Sequence, residues 1–179
     1  YGFGAGVLFV GFLLGQYPSL WWLQRVGMPR WIATCALVWG LAAGGLGFIE
    51  GHTQFYILRV VIGLAEGGLA PGIVLYLSQF ATERERATTF TLPALAIPAS
   101  VIIGAPLSGW LLGLDHGLPI ANWRFMFIAE AVPTVLLGLA ALLYFPPTPA
   151  RATFLSPDER SWLMANAARR PDAPRRNDW

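Results

Sequence analysis

Two charged residues, Arg59 and Glu66, stand in the otherwise uncharged stretch from Phe55 to Thr82. Each has a definite chemistry. A permanently charged guanidinium takes a carboxylate through two parallel hydrogen bonds. A carboxyl withdrawn from water is penalised for ionising, which makes it a candidate to take up and release a proton. Seven residues are two helical turns, so the two side chains leave one helix face about 10.5 Å apart along the axis. That is too far for intimate pairing and suits two poles of one polar cavity. A charge at the centre of an apolar helix costs ~2.5–3.5 kcal/mol on insertion scales, so the pair is expected to face a bundle interior, not lipid. The competing reading is that both residues are salt-bridged to neighbouring helices and only hold the bundle together.

Other candidates are weaker. Glu130 follows Trp123 and Arg124 near the start of an apolar run, where its carboxyl could reach Arg124 or interfacial water in a structural role. Gln16 and Gln79 are placed to hydrogen-bond across helices or to line a path. His52 and His116 fall in polar connections and read as solvated. With a single cysteine, Cys35, there is no internal disulfide and no cysteine metal cluster. No apolar run contains a His or a Ser–His pairing, so nothing points to an enzyme, a metal or a cofactor.

The elements that must carry these residues follow from where charge is missing. Of 179 residues, 12% are charged and 55% hydrophobic, against about 25% charged in ordinary soluble domains. All twelve basic residues are Arg and the net charge is only +2, which excludes a nucleic-acid binder. Five apolar runs, about 2–23, 31–49, 55–80, 88–114 and 125–145, each meet the ~18 residues needed to cross ~30 Å of hydrocarbon as a helix. The expectation is an all-α membrane protein with five spans. Arg25, Arg30, Arg84, Arg86, Arg151, Arg160, Arg169, Arg170, Arg175 and Arg176 fall on one side of these spans, and Arg124 alone on the other. By the positive-inside rule the side with ten is cytoplasmic, and so is the tail 146–179.

Gly63, Gly67 and Ala70, and again Gly40, Gly44 and Gly47, recur every three or four residues, giving faces on which a neighbouring helix can approach closely. Pro93, Pro98 and Pro106 interrupt the fourth run, as in bundles whose helices bend to line a water-filled path. In the tail, Ser156-Pro-Asp-Glu159 has the pattern of a helix start, with Ser as cap and a carboxylate three residues on. A short amphipathic helix on the membrane face is expected there, followed by a disordered end from Arg169.

At these residues the chain resembles a known family. The stretch Phe55 to Gly72, with Arg59, Gly63, Glu66 and Pro71, resembles the fourth helix of the major facilitator superfamily, specifically its anion:cation symporter branch. Leu23 to Arg30, with Arg25, Gly27 and Arg30, resembles the loop between the second and third helices. Phe80 to Ala87 resembles the loop after the fourth, Gly104-Ala-Pro106-Leu-Ser-Gly109 the fifth-helix motif, and Trp123 to Pro133, including Glu130, the start of the sixth. Leu155 to Leu163 resembles the central cytoplasmic loop.

The resemblance implies helices two to six of a twelve-helix transporter, with the first helix and the C-terminal half outside this chain. It implies a multi-pass protein of the bacterial inner membrane that takes up an organic anion, such as a sugar acid or an aromatic or dicarboxylic acid, with a proton. Arg59 would bind the carboxylate and Glu66 would couple the proton. Arg25, Gly27, Arg30, Gly104, Pro106, Gly109 and Glu130 would serve structure and gating. Phe12 and Ile97 occupy substrate positions where relatives carry a tyrosine and an amide, beside Gln16. Gln24 replaces the usual Asp of the loop motif. An efflux or facilitative transporter and a non-transporting membrane subunit remain alternatives.

Overall fold

The computed structural model describes residues 2–81 and 85–168. The Thr82–Arg84 part of the charged loop and the arginine-rich end from Arg169, where disorder was expected, lie outside the described residues. Within them the chain forms helices α1 (Gly2–Val26), α2 (Met28–Gly45), α3 (His52–Phe80), α4 (Arg86–Gly113), α5 (Asn122–Tyr144) and α6 (Pro157–Ala168), with no strand. Short 3-10 turns at Leu46–Phe48 and Pro149–Arg151 extend the ends of α2 and the α5–α6 connection. Helices are the form in which an apolar segment satisfies its own backbone where no water is available.

By length and composition, α2 with its 3-10 turn, α3, α4 and α5 can cross a membrane, at mean hydropathies from 1.6 to 2.1. At 25 residues α1 has the length, but Gln16, Tyr17, Pro18, Ser19 and Gln24 dilute its second half. The step from α1 to α2 takes one residue, Gly27, at φ 92. That is the left-handed region, open to glycine without a Cβ clash. The Gly27 N–H donates back to the Leu23 carbonyl at 3.0 Å, and its carbonyl accepts from Trp31 at 3.0 Å.

Small residues set the packing. Gly4, Gly11, Gly15 and Ser19 form a buried stripe along α1. A Cβ on Gly11 would lie 2.5 Å from the Val60 carbonyl oxygen, and one on Gly15 2.5 Å from that of Leu64. From the other side, Gly63 and Gly67 leave no room for a Cβ against the backbone of Leu8 and Phe12. Helices α1 and α3 therefore touch backbone to backbone. On α2, a Cβ at Gly40 would meet Val135 at 3.0 Å and one at Gly44 would meet Ala131 at 2.9 Å, and in the 3-10 turn that follows one at Gly47 would meet the Arg124 carbonyl at 2.8 Å, so α5 closes on that face. The core between α2 and α3 is Ala42, Leu46 and Ile62. By contrast α4 lies at the edge: apart from Leu111, every described side chain on it is exposed or half-buried.

At the far end α3, α5 and the tail are tied by aromatics. The Tyr76 hydroxyl donates to the Pro146 carbonyl at 3.1 Å and its ring stacks on Phe145 at 5.3 Å, while Phe80 meets Phe154 at 6.1 Å. Ser156 caps α6 as its spacing suggests. The Ser156 N–H and hydroxyl both reach Glu159 Oε2, at 2.9 and 2.8 Å, and the Glu159 N–H reaches back to the hydroxyl at 3.3 Å. In α6 the large apolar residues Trp162, Leu163 and Met164 are consecutive.

Candidate functional site

Arg59 is half-buried on α3, and its Nε is buried without a hydrogen-bond partner among the described residues. The guanidinium carbon sits 5.1 Å from the centre of the Phe55 ring, one turn earlier. Phe55 is itself braced: it meets Tyr56 edge-on at 5.6 Å, and Gly4 of α1 leaves the space that its ring fills, since a Cβ there would lie 2.7 Å from it. The arginine is thus held by an aromatic face while part of its donor set stays unused. Neither Phe55 nor Gly4 stood out in the sequence. The available signal was the aromatic–Arg spacing of four, which places both on one helix face.

Glu66 lies two turns further along and is exposed. Gly63, between the two, and Gly67, just beyond Glu66, press on the Phe12 backbone. The α1–α3 crossing therefore brings Phe12 beside the Arg59–Glu66 segment, with half-buried Gln16 one turn on. Ile97 is not gathered there; it is exposed on α4. Arg25, Gly27 and Arg30 cluster at the opposite end. Arg25 stacks on Trp21 at 3.9 Å, and Arg30 is exposed. Gly104 and Gly109 have nothing within 4 Å of where a Cβ would stand, and Pro106 between them is exposed.

The expected reach of Glu130 towards Arg124 is not what forms. Arg124 turns to the end of α2 and its 3-10 turn, donating from Nη1 to the Gly47 carbonyl at 3.3 Å and from Nη2 to that of Ile49 at 2.8 Å. A cation there meets carbonyls that the helix leaves unpaired. Glu130 instead pairs with Ser108 of α4. That partner is 22 residues away on another helix, a contact no local spacing announces.

Among the described residues no group of three or more His, Cys, Asp or Glu gathers to hold a metal. An apolar groove of about 360 Å³ runs between α2 and α5, lined by residues such as Gly40, Leu41, Phe48, Ala131 and Val135. It offers no polar side chain and lies apart from Arg59 and Glu66. The arrangement on α3 can hold an anion against an arginine with spare donors and present a carboxyl two turns away.

Residues 1–176 match the family model described as Major Facilitator Superfamily. A protein of Agrobacterium vitis named for tartrate transport is 43% identical over 92% of this chain and 38% of its own length. The metabolite transport protein NicT of Pseudomonas putida is 39% identical over 94% of this chain and 39% of its own. The chain thus spans under two fifths of the length of these relatives. Among solved structures, the inward-open xylose transporter XylE of E. coli superposes with a TM-score of 0.69 at 20% identity, over 91% of this chain and 40% of that one. At that identity the likeness shows the fold alone, a bundle of long apolar helices. The chain belongs to the major facilitator superfamily.

Proposed function

We propose that this chain supplies helices two to six of a twelve-helix secondary transporter of the bacterial inner membrane, in the anion:cation symporter branch. The transporter takes up an organic anion together with a proton by alternating access. The observation that carries this reading is Arg59: a half-buried guanidinium, steadied over Phe55, with a buried Nε that no group among the described residues satisfies. A buried donor left unpaired is costly, and a carboxylate ligand would satisfy it. Glu66, exposed on the same face, takes the proton on the outer side and loses it on the inner side. The names of the relatives, one for tartrate and one for a metabolite, support a small organic substrate. The arginine imbalance supports a cytoplasmic tail.

The test uses the complete transporter in proteoliposomes, challenged with a panel of sugar acids, aromatic acids and dicarboxylates beside cationic dyes. A carboxylate is expected to bind, and Arg59→Ala to weaken it at least tenfold, since a charged hydrogen bond is worth about 1.5–3 kcal/mol. Unaltered carboxylate affinity in Arg59→Ala would remove the binding role. Transport of the cations alone would favour the efflux alternative.

A further inference from the structure

Where α2 and α5 close on each other over small residues, a groove of about 360 Å³ is left on their outer side. Gly40 and Ala131, both buried, form its floor. Leu41 and Phe48 on one side, and Val132 and Leu136 on the other, stand up as exposed walls. On α5 the lining recurs from Ile128 to Leu136 at steps of three and four, one helix face about 12 Å long. Helices α2 and α5 are long and apolar enough to cross a membrane. Exposed apolar walls on such helices meet hydrocarbon, and so does the cleft between them.

One end of the groove is charged. Arg124 stands one turn before Ile128 on α5, about 6 Å from where the groove begins. Its Nη1 and Nη2 donate to the Gly47 and Ile49 carbonyls, on either side of Phe48, at 3.3 and 2.8 Å. These bonds fix the guanidinium at the mouth. A guanidinium has five N–H donors, so three remain without a partner among the described residues, and no carboxylate among them pairs with the charge. Trp123 is exposed beside it, with the guanidinium carbon 4.9 Å from its ring centre. Tryptophan is enriched at the headgroup level of a bilayer.

Length then decides between occupants. Measured from Arg124 along α5, the groove covers depths of about 6 to 18 Å, close to one leaflet of a ~30 Å hydrocarbon core. A helix of a second copy would lie along the whole span. A chain anchored at one membrane surface ends near the middle, as this groove does. An acyl chain below a phosphate has the length, the apolarity and the anionic end that the groove and Arg124 complement.

We propose that the α2–α5 groove is a phospholipid site, in which one acyl chain fills the groove and Arg124 holds the phosphate. This goes beyond the roles given to Arg59 and Glu66 and does not depend on them. The test is native mass spectrometry of the delipidated complete transporter with palmitoyl-oleoyl phosphatidylglycerol, or with palmitoyl-oleoyl glycerol, which has the same chains and no phosphate. The phospholipid is expected to bind about tenfold more tightly than the diacylglycerol. Val132→Trp fills the groove from an exposed wall and should lower binding of both about tenfold or more. Leu143→Trp, exposed on α5 outside the groove, should alter neither. Arg124→Gln should bring the phospholipid down to the level of the diacylglycerol. Should that variant fail to fold, the two lipids on the unaltered protein decide the role of the phosphate. Equal affinity for the two lipids, or phospholipid binding unchanged in Val132→Trp, would overturn the site. So would a dimer that forms in place of the lipid adduct and is lost in Val132→Trp.

Discussion

At the scale of single residues, the proposed anion site depends on how Arg59 is held as well as on its charge. The Phe55 ring beneath the guanidinium fixes its direction, and such contacts contribute about 0.5–2 kcal/mol. Phe55→Ala should therefore weaken carboxylate binding by roughly 2- to 30-fold with the protein still folded, while Phe55→Trp should keep it. Equilibrium binding to the complete transporter measures both, and equal affinity in Phe55→Ala would show that the ring is only packing. Arg59 and Glu66 were legible in the sequence because charge inside an apolar run stands out. Phe55 and Gly4 were not, since an aromatic and a glycine among apolar residues are what any packed helix contains. Glu130 was visible as a carboxyl, but its partner Ser108 was hidden, because the fold brings the two together across separate helices.

At the scale of elements, the α1–α3 crossing makes a sharp demand on four glycines. Gly63→Ala and Gly11→Ala each place a Cβ against partner backbone that cannot move aside. Overpacking of this kind should cost about 1–3 kcal/mol, read as a lowered Tm of the complete transporter in detergent. Gly45→Ala, whose Cβ would meet Leu58 at an ordinary 3.4 Å, should leave Tm unchanged or raise it; equal losses at all three positions would contradict the crossing. Half of this interface was readable, since Gly63 and Gly67 announce themselves by their spacing of four. The α1 stripe Gly4–Gly11–Gly15–Ser19 escapes a search for one repeat, because its spacing begins at seven and tightens to four.

The α6 cap makes an element-scale prediction of its own. The Ser156 backbone N–H, followed by its hydroxyl, holds the Glu159 carboxyl below the usual carboxylate range. A lowered folded-state value means stabilisation that is present above the unfolded-state value and lost as pH falls through the folded one. Acidification should thus release the Ser156 amide, seen as faster hydrogen exchange after correction for intrinsic rates. Glu159→Gln should remove that acid dependence, and protection persisting in acid would count against the cap.

At the scale of the whole molecule, five long helices pack together. Helices α1, α2, α3 and α5 interlock, and α4 is held along one edge. The all-helical membrane class was legible, because charge-free runs and their arginine borders follow from the cost of moving charge into hydrocarbon. How the helices pair was not, since close approach depends on which glycines face each other. The arginine imbalance predicts sidedness. In a Cys35→Ser background, a cysteine at His116 should react with an impermeant maleimide from outside the cell, and one at Phe154 only after the membrane is opened. Reversed labelling would invert the topology and with it the proposed direction of proton coupling at Glu66.

The account stands most directly on Glu66. In proteoliposomes of the complete transporter, Glu66→Gln is predicted to abolish uphill, proton-driven carboxylate uptake while sparing counterflow exchange of the same carboxylate. Undiminished uphill uptake in that variant would contradict the coupling role and the symport mechanism built on it.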